Sequence, residues 1–204
     1  MAKIDLKKQL KDLYNVSKKD PFLVDVPARG FVMVDGQGDP AGSQAFAEAM
    51  EAVFGVSYTA KFALKKAGSK IDYTVPPPES LWWADDLSAF AAGRRDEWRW
   101  TIMVPQPEHV TADLIARAIE ELRTKKDPPA LGRLRFDTFR EGLSAQLLHV
   151  GPYDQMGASS IPKLHDFIAA QGRKMRGKHH EIYLSDPRRA APEKLKTILR
   201  QPVE

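Results

Sequence analysis

The spacing of apolar residues divides this chain into helices and strands before any single residue is considered. Leu6, Leu10 and Leu13 fall at helical spacing in residues 5–14, a short amphipathic helix ended before Pro21. Residues 24–38, with Phe31, Val32, Met33 and Val34 in series, read as one strand closing on a turn. Pro40 and Ser43 then open a long helix with Phe46, Met50, Val53 and Phe54 on one face and Ala67-Gly68 as its stop. Residues 71–75 read as a strand running into Pro76-Pro77-Pro78, which can only be loop or sheet edge. Leu81-Trp82-Trp83 follows that break, and residues 96–105 form a strand. Residues 111–126 form a helix with Ile115, Ala118, Ile119 and Leu122 inward. Lys125 and Lys126 sit at its C-terminus, where the helix dipole favours cations.

The second half repeats this order. Residues 134–140 and 143–151 read as a hairpin around Glu141-Gly142. Ser159-Ser160 begins a helix with Ile161, Leu164, Phe167 and Ile168 on one face, ended by Gln171-Gly172. Residues 178–185 are a strand, Asp186-Pro187 a turn, and residues 195–203 a last strand. Met33-Val34-Asp35-Gly36 opens the first half as Leu148-His149-Val150-Gly151 opens the second. Thr101-Ile102-Met103-Val104 closes one as Thr197-Ile198-Leu199-Arg200 closes the other. The expected fold class is therefore α+β, with two strand-helix-strand-strand units related by a pseudo-two-fold axis. Side by side, they would put the helices on one face of the sheets and leave a concave ligand cleft on the other. Residues 1–22 are expected to be a helical segment packed on a single domain, residues 23–204. Its two repeats, about 24–107 and 143–204, are joined by a helix and a strand.

With 204 residues, 43% hydrophobic and 28% charged, the chain can build a core and is not of disordered composition. No apolar run approaches the roughly 18 residues needed to span a bilayer, and residues 1–8 lack the apolar stretch of a secretory signal. Cysteine is absent, which excludes thiol catalysis and disulfides and suits a reducing cytoplasm. The net charge of +4 is concentrated between Arg173 and Arg200, read as a solvated basic rim because no groove-reading motif accompanies it. About 20 residues precede the first strand, too few for a three-helix DNA-binding domain, so direct nucleic-acid reading is not expected.

Gly36-Gln37-Gly38-Asp39-Pro40-Ala41-Gly42 lies between a strand and a helix but fails the dinucleotide spacing, and Pro40 removes an N–H a phosphate would need. No metal is expected: His179 and His180 are neighbours on a strand and point to opposite faces, and His165 is a helix-face residue. The same alternation puts His179, Glu181 and Tyr183 on one face and His180, Ile182 and Leu184 on the other. If the apolar set packs under the helices, Glu181 and Tyr183 face the cleft. There the carboxylate would bind a cation, take a proton from water, or pair with an arginine of the basic rim. Trp82 and Trp83 after the proline break look like a wall for a flat ligand, offering stacking and cation–π contacts.

Gly177 to Arg189 (GKHHEIYLSDPRR) resembles the signature of the GyrI-like small-molecule-binding family, related to the effector domains of multidrug-sensing regulators. Leu147 to Asp154, Lys196 to Pro202, Asp35 to Pro40 and Leu81-Trp82-Trp83 are similar to that family as well, while Ser80 stands where a glycine is expected. The resemblance implies two SH2-like units, a cleft in which Glu181 meets an aromatic, hydrophobic or cationic ligand, and no cofactor. It places Trp82, Trp83, Trp100, His149 and His179 beside that ligand. Some stand-alone members are hydrolases that open the cyclopropane of DNA-alkylating compounds. In that role Glu181 would activate water, Tyr183 or Tyr153 would bond the developing phenolate, and Trp83 and Trp100 would stack on the ligand. A non-catalytic sequestering or sensing module and a gyrase-inhibiting interaction protein are the alternatives.

Overall fold

The structure, a computed structural model, describes residues 3–66, 71–86 and 88–204. The expected helix stop at Ala67-Gly68 lies outside the described residues. The chain forms helices α1 (Leu6–Gln9), α2 (Lys11–Tyr14), α3 (Gln44–Lys66), α4 (Ser88–Ala91), α5 (Ala112–Lys125) and α6 (Ser160–Ala170). Its strands are β1 (Phe22–Val26), β2 (Arg29–Gln37), β3 (Glu79–Trp83), β4 (Arg99–Pro105), β5 (Arg135–Phe139), β6 (Gly142–Val150), β7 (His179–Tyr183) and β8 (Lys196–Pro202). The class is α+β. Two compact units divide the chain, one holding residues 1–9 and 29–139 and the other residues 10–28 and 140–204.

In the first unit the antiparallel order is β3-β4-β2-β5. The α3 face of this sheet is lined by Val32, Val34, Trp82, Trp100, Ile102 and Val104, all buried against Ala49, Ala52, Val53, Val56 and Ala60 of α3. Ser43 starts α3 by accepting the Phe46 N–H at 3.3 Å. Leu122 of α5 comes so close to α3 that a Cβ on Gly55 would lie 2.7 Å from it. Thr111 caps α5 by accepting the Leu114 N–H at 3.2 Å. A smaller cluster of Phe31, Met33, Leu81 and Met103 occupies the opposite face of the sheet.

The second unit repeats the pattern as β7-β8-β6-β1, again antiparallel. Ala145, Leu147 and Leu199 pack under Leu164 and Ile168 of α6. Leu148, Ile182 and Ile198 point the other way and are covered by Leu10, Leu13, Tyr14 and Val16.

Four local expectations are corrected. Residues 5–14 form two short helical turns split at Leu10 rather than one helix. Residues 24–38 are two strands that part at Pro27-Ala28: β1 pairs with β6, while β2 pairs with β4 and β5. Residues 134–151 are likewise not a hairpin, since β5 pairs with β2 in the first unit and β6 with β1 and β8 in the second. Each unit thus takes its fourth strand from the segment preceding the other unit's first strand. Finally, the residues at 71–75 make only a single bridge, Tyr73 to Ile4, and the strand follows the prolines instead of preceding them.

Candidate functional site

The second unit gathers most of the expected site residues at one end of its sheet. Across β7 and β8, Glu181 pairs with Leu199 and Tyr183 with Thr197; across β8 and β6, those two pair with Leu147 and His149. Directly paired residues share a face, so Glu181, Tyr183 and His149 lie on the side covered by α6. The alternation read from the sequence holds, but the faces are exchanged: Glu181 and Tyr183 lie on the helix side, not on the face opposite the helices. The apolar residues Ile182 and Leu184 pack under the N-terminal segment Leu10–Val16, not under α6.

Tyr183 donates its hydroxyl to Glu181 Oε2 at 2.7 Å. The two residues stand two apart on one strand, the separation that puts both side chains on the same face. Glu181 is buried, at 9% exposure. His179 Nε2 lies 3.8 Å from the other carboxylate oxygen. Burial, helped by the neighbouring His165 and His180, lowers the His179 pKa to about 4, so this imidazole is neutral near pH 7.

Tyr153 meets the Tyr183 ring edge to face, with centroids 5.7 Å apart. Burial and then the charges of Glu181 and Asp186 raise the Tyr153 pKa, which keeps the phenol a proton donor. It is also 37% exposed, so a ligand can reach it. The turn carrying Tyr153 is fixed from below. His149 Nε2 lies 3.1 Å from the Pro152 carbonyl and Nδ1 2.8 Å from Ser160 Oγ. A carbonyl only accepts, so the proton sits on Nε2 and Ser160 donates to Nδ1. Gly151, at φ +146°, makes the bend from β6 into this turn, a conformation strained for any side chain.

The tryptophans are used differently from expectation. Trp82 and Trp100 are direct cross-strand partners on the α3 face. Trp100 has no exposed surface and Trp82 has 6%. Phe46 stacks on Trp82 and meets Trp100 edge-on, while Trp98 and Phe90 complete the group. These rings are core, because β3 is a paired strand rather than a lid. Trp83 points the other way, packed against the cluster of Phe31, Met33, Leu81 and Met103. Gly36 belongs to the same core: a Cβ there would sit 2.1 Å from the Trp100 ring, so its small size answers to packing rather than to phosphate.

Two buried carboxylates escaped the sequence reading. Glu79, fully buried, shares its side of β3 with Leu81 and Trp83. Glu141, placed in a supposed hairpin turn, is 2% exposed. Its Oε2 lies 2.9 Å from His180 Nδ1 and 3.1 Å from Arg200 Nη1. Arg200 is not part of a solvated rim; it is buried and also donates to Gln146 and to the Leu13 carbonyl. Burial alone would raise the Glu141 pKa, but His180 and Arg200 outweigh it and hold the carboxyl at about 2. Among the described residues, no three metal-ligating side chains converge, and no helix is long and apolar enough to cross a membrane.

A repeated strand-helix-strand-strand unit with a buried carboxylate held among tyrosines defines a small-molecule-binding architecture. The chain belongs to the GyrI-like small molecule binding domain family, matched over residues 19–204. Two solved structures from Listeria innocua share 38% of its sequence over 99% of this chain and 100% of theirs. One is an uncharacterized conserved protein (TM-score 0.89) and the other a hydrolase (TM-score 0.84). The C-terminal domain of EcmrR has the same fold at 11% identity, with TM-score 0.55, 91% of this chain and 97% of that one covered. No curated protein matches the chain.

Proposed function

We propose that this small-molecule-binding domain is a cofactor-independent hydrolase that opens a strained electrophilic ring, with Glu181 as general base. The observation that carries the reading is the Tyr183–Glu181 hydrogen bond beside Tyr153. It sets a buried carboxylate, which can take a proton, beside a separate, protonated phenol, which can donate one. The 38% identity to a hydrolase over nearly the full chain supports the same reading.

The substrate class that best uses this set is a planar cyclopropane fused to a conjugated dienone. Water attacks a cyclopropane carbon and gives a proton to Glu181. The ring C–C bond breaks toward the dienone, whose oxygen becomes a phenolate and takes a proton from Tyr153; the proton on Glu181 then restores the tyrosine through solvent. Water is added, nothing is oxidised or reduced, and aromatisation drives the step. Tyr183 positions the carboxylate, His149 holds the Tyr153 turn, and neutral His179 is the remaining candidate contact.

The test is product formation in ¹⁸O water, read by mass spectrometry. General-base help is worth about 10²–10⁴ and an oriented donor about 10²–10³, so Glu181→Gln and Tyr153→Phe should each slow turnover by at least 100-fold or so. Tyr183→Phe should lower kcat less. If the wild type binds such a compound and never incorporates the label, the chain only sequesters or senses its ligand.

A further inference from the structure

The inner face of α3 builds the core; its outer face carries a second pattern. Phe54, Tyr58 and Phe62 recur every four residues and stack along the helix surface. Their ring centroids are 6.2 Å and 6.3 Å apart, at interplanar angles of 29° and 28°. Tyr58 is 44% exposed and Phe62 51%. The large exposed hydrophobics among the described residues are these two, Val150, Tyr153 and Met175, and Tyr153 already has a place in the site above. A contiguous aromatic stripe on an otherwise polar surface marks an interaction face.

The charges around the stripe identify its partner. Tyr58 is the centre of a palindrome: Phe54 and Phe62 lie four residues to either side, and Glu51 and Lys65 seven to either side. At about 100° per residue, all five fall within roughly 40° of the Tyr58 direction, so they form one stripe. Glu51 and Lys65 are both exposed. An identical helix laid antiparallel across this stripe sets Tyr58 against Tyr58, Phe54 against Phe62 and Glu51 against Lys65. Every contact is then complementary, and each off-axis pair occurs twice, as a two-fold interface requires. Another protein would have to supply the same sequence of charges and rings by coincidence; a second copy supplies it by construction.

We infer that the chain forms a homodimer by antiparallel packing of α3 on α3 of a second copy, with the two-fold axis at Tyr58. One helix pair falls at the low end of interface sizes, below about 1,200 Å², so the association is concentration-dependent. The aromatic contacts supply the attraction, and the Glu51–Lys65 pairs set the antiparallel direction, since exposed ion pairs discriminate more than they stabilise.

Sedimentation equilibrium across roughly 1–500 µM, the range in which a small interface associates, tests this. The apparent mass should rise from 22.9 kDa toward twice that value. Glu51→Lys or Lys65→Glu alone places like charges together and should weaken association about ten-fold, and the double exchange should restore it to within about three-fold. Packed helix axes stand about 8–10 Å apart, each with a Cα radius of about 2.3 Å, which brings the two Tyr58 positions within disulfide reach. The chain has no cysteine of its own. Tyr58→Cys should therefore crosslink on mild oxidation, while Arg188→Cys, on the exposed turn after β7, should not. A wild type monomeric at every concentration overturns the inference. So does a charge exchange that fails to rescue, or crosslinking at Arg188→Cys as fast as at Tyr58→Cys.

Discussion

Replacing Glu141 by glutamine should destabilise the protein severely. In the wild type, the Glu141 carboxylate is the counter-ion of Arg200 and faces His180, with Glu141, His180 and Arg200 each 2% exposed or less. Glutamine keeps the shape but leaves the guanidinium buried without a negative partner, a change that typically costs about 3–5 kcal/mol. Linkage gives a similar figure, since holding the carboxyl at about 2 instead of 4.5 corresponds to roughly 3 kcal/mol. At about 2–4 °C per kcal/mol for a chain of this length, Tm should fall by roughly 6–20 °C near pH 7. The pH dependence has a fixed sign. The folded pKa is depressed, so the contribution is complete above 4.5 and is lost as pH falls toward about 2. Calorimetry of wild type and Glu141→Gln at pH 7, 5 and 3 should therefore show a gap that is wide at pH 7 and narrows with acid. A gap of under about 1 °C at pH 7, or one that stays constant down to pH 3, would refute the reasoning.

The other expected outcomes concern the first unit. Gly36→Ala places a methyl 2.1 Å from a Trp100 ring that has no free space, so unfolding should be easier by about 1–3 kcal/mol; adding Trp100→Phe should recover part of that loss. If a planar ligand quenches tryptophan fluorescence, Trp83→Leu should abolish the quenching and Trp100→Phe should leave it. The reverse result would place the ligand on the α3 side of the sheet.

What the sequence made legible follows the range of the forces involved. Helices α3, α5 and α6 and strands β4, β7 and β8 were readable because their periodicity is local: Leu164 and Ile168 mark α6, and the alternation from His179 to Tyr183 marks β7. The exchange of β1 and β5 was not readable, because Val24 pairs with Ser144 and Phe136 with Val32. Locally, residues 24–38 form one extended run interrupted only by Pro27, and nothing in the run says that its halves belong to different sheets. The prolines at 76–78 mark a break, but the sequence does not show that the Trp82-Trp83 pair beyond it is strand, paired with Trp100 and Arg99. The shared face of Glu181 and Tyr183 is readable from the alternation along β7. Glu141 and Arg200 were missed because a charged side chain reads as solvated until the partners that neutralise it are known.

The two carboxylates of the second unit are linked through a single strand. On β7, His180 turns toward Glu141 and Glu181 turns toward α6, one residue apart and on opposite faces. A proposed base must be held within about 0.5 Å of its working position, so its strand must not shift against its neighbours. The His180–Glu141–Arg200 network resists that motion, because any shift of β7 lengthens charge-assisted bonds in a dry interior. Arg200 lies directly opposite His180 on β8 and also reaches the Leu13 carbonyl, so β7, β8 and the N-terminal segment are tied at one point. The same strand register that hides the structural acid therefore fixes the direction of Glu181, the proposed base. A glutamate two residues along, at the Tyr183 position, would share the α6 face but lack a neighbour anchored in the network.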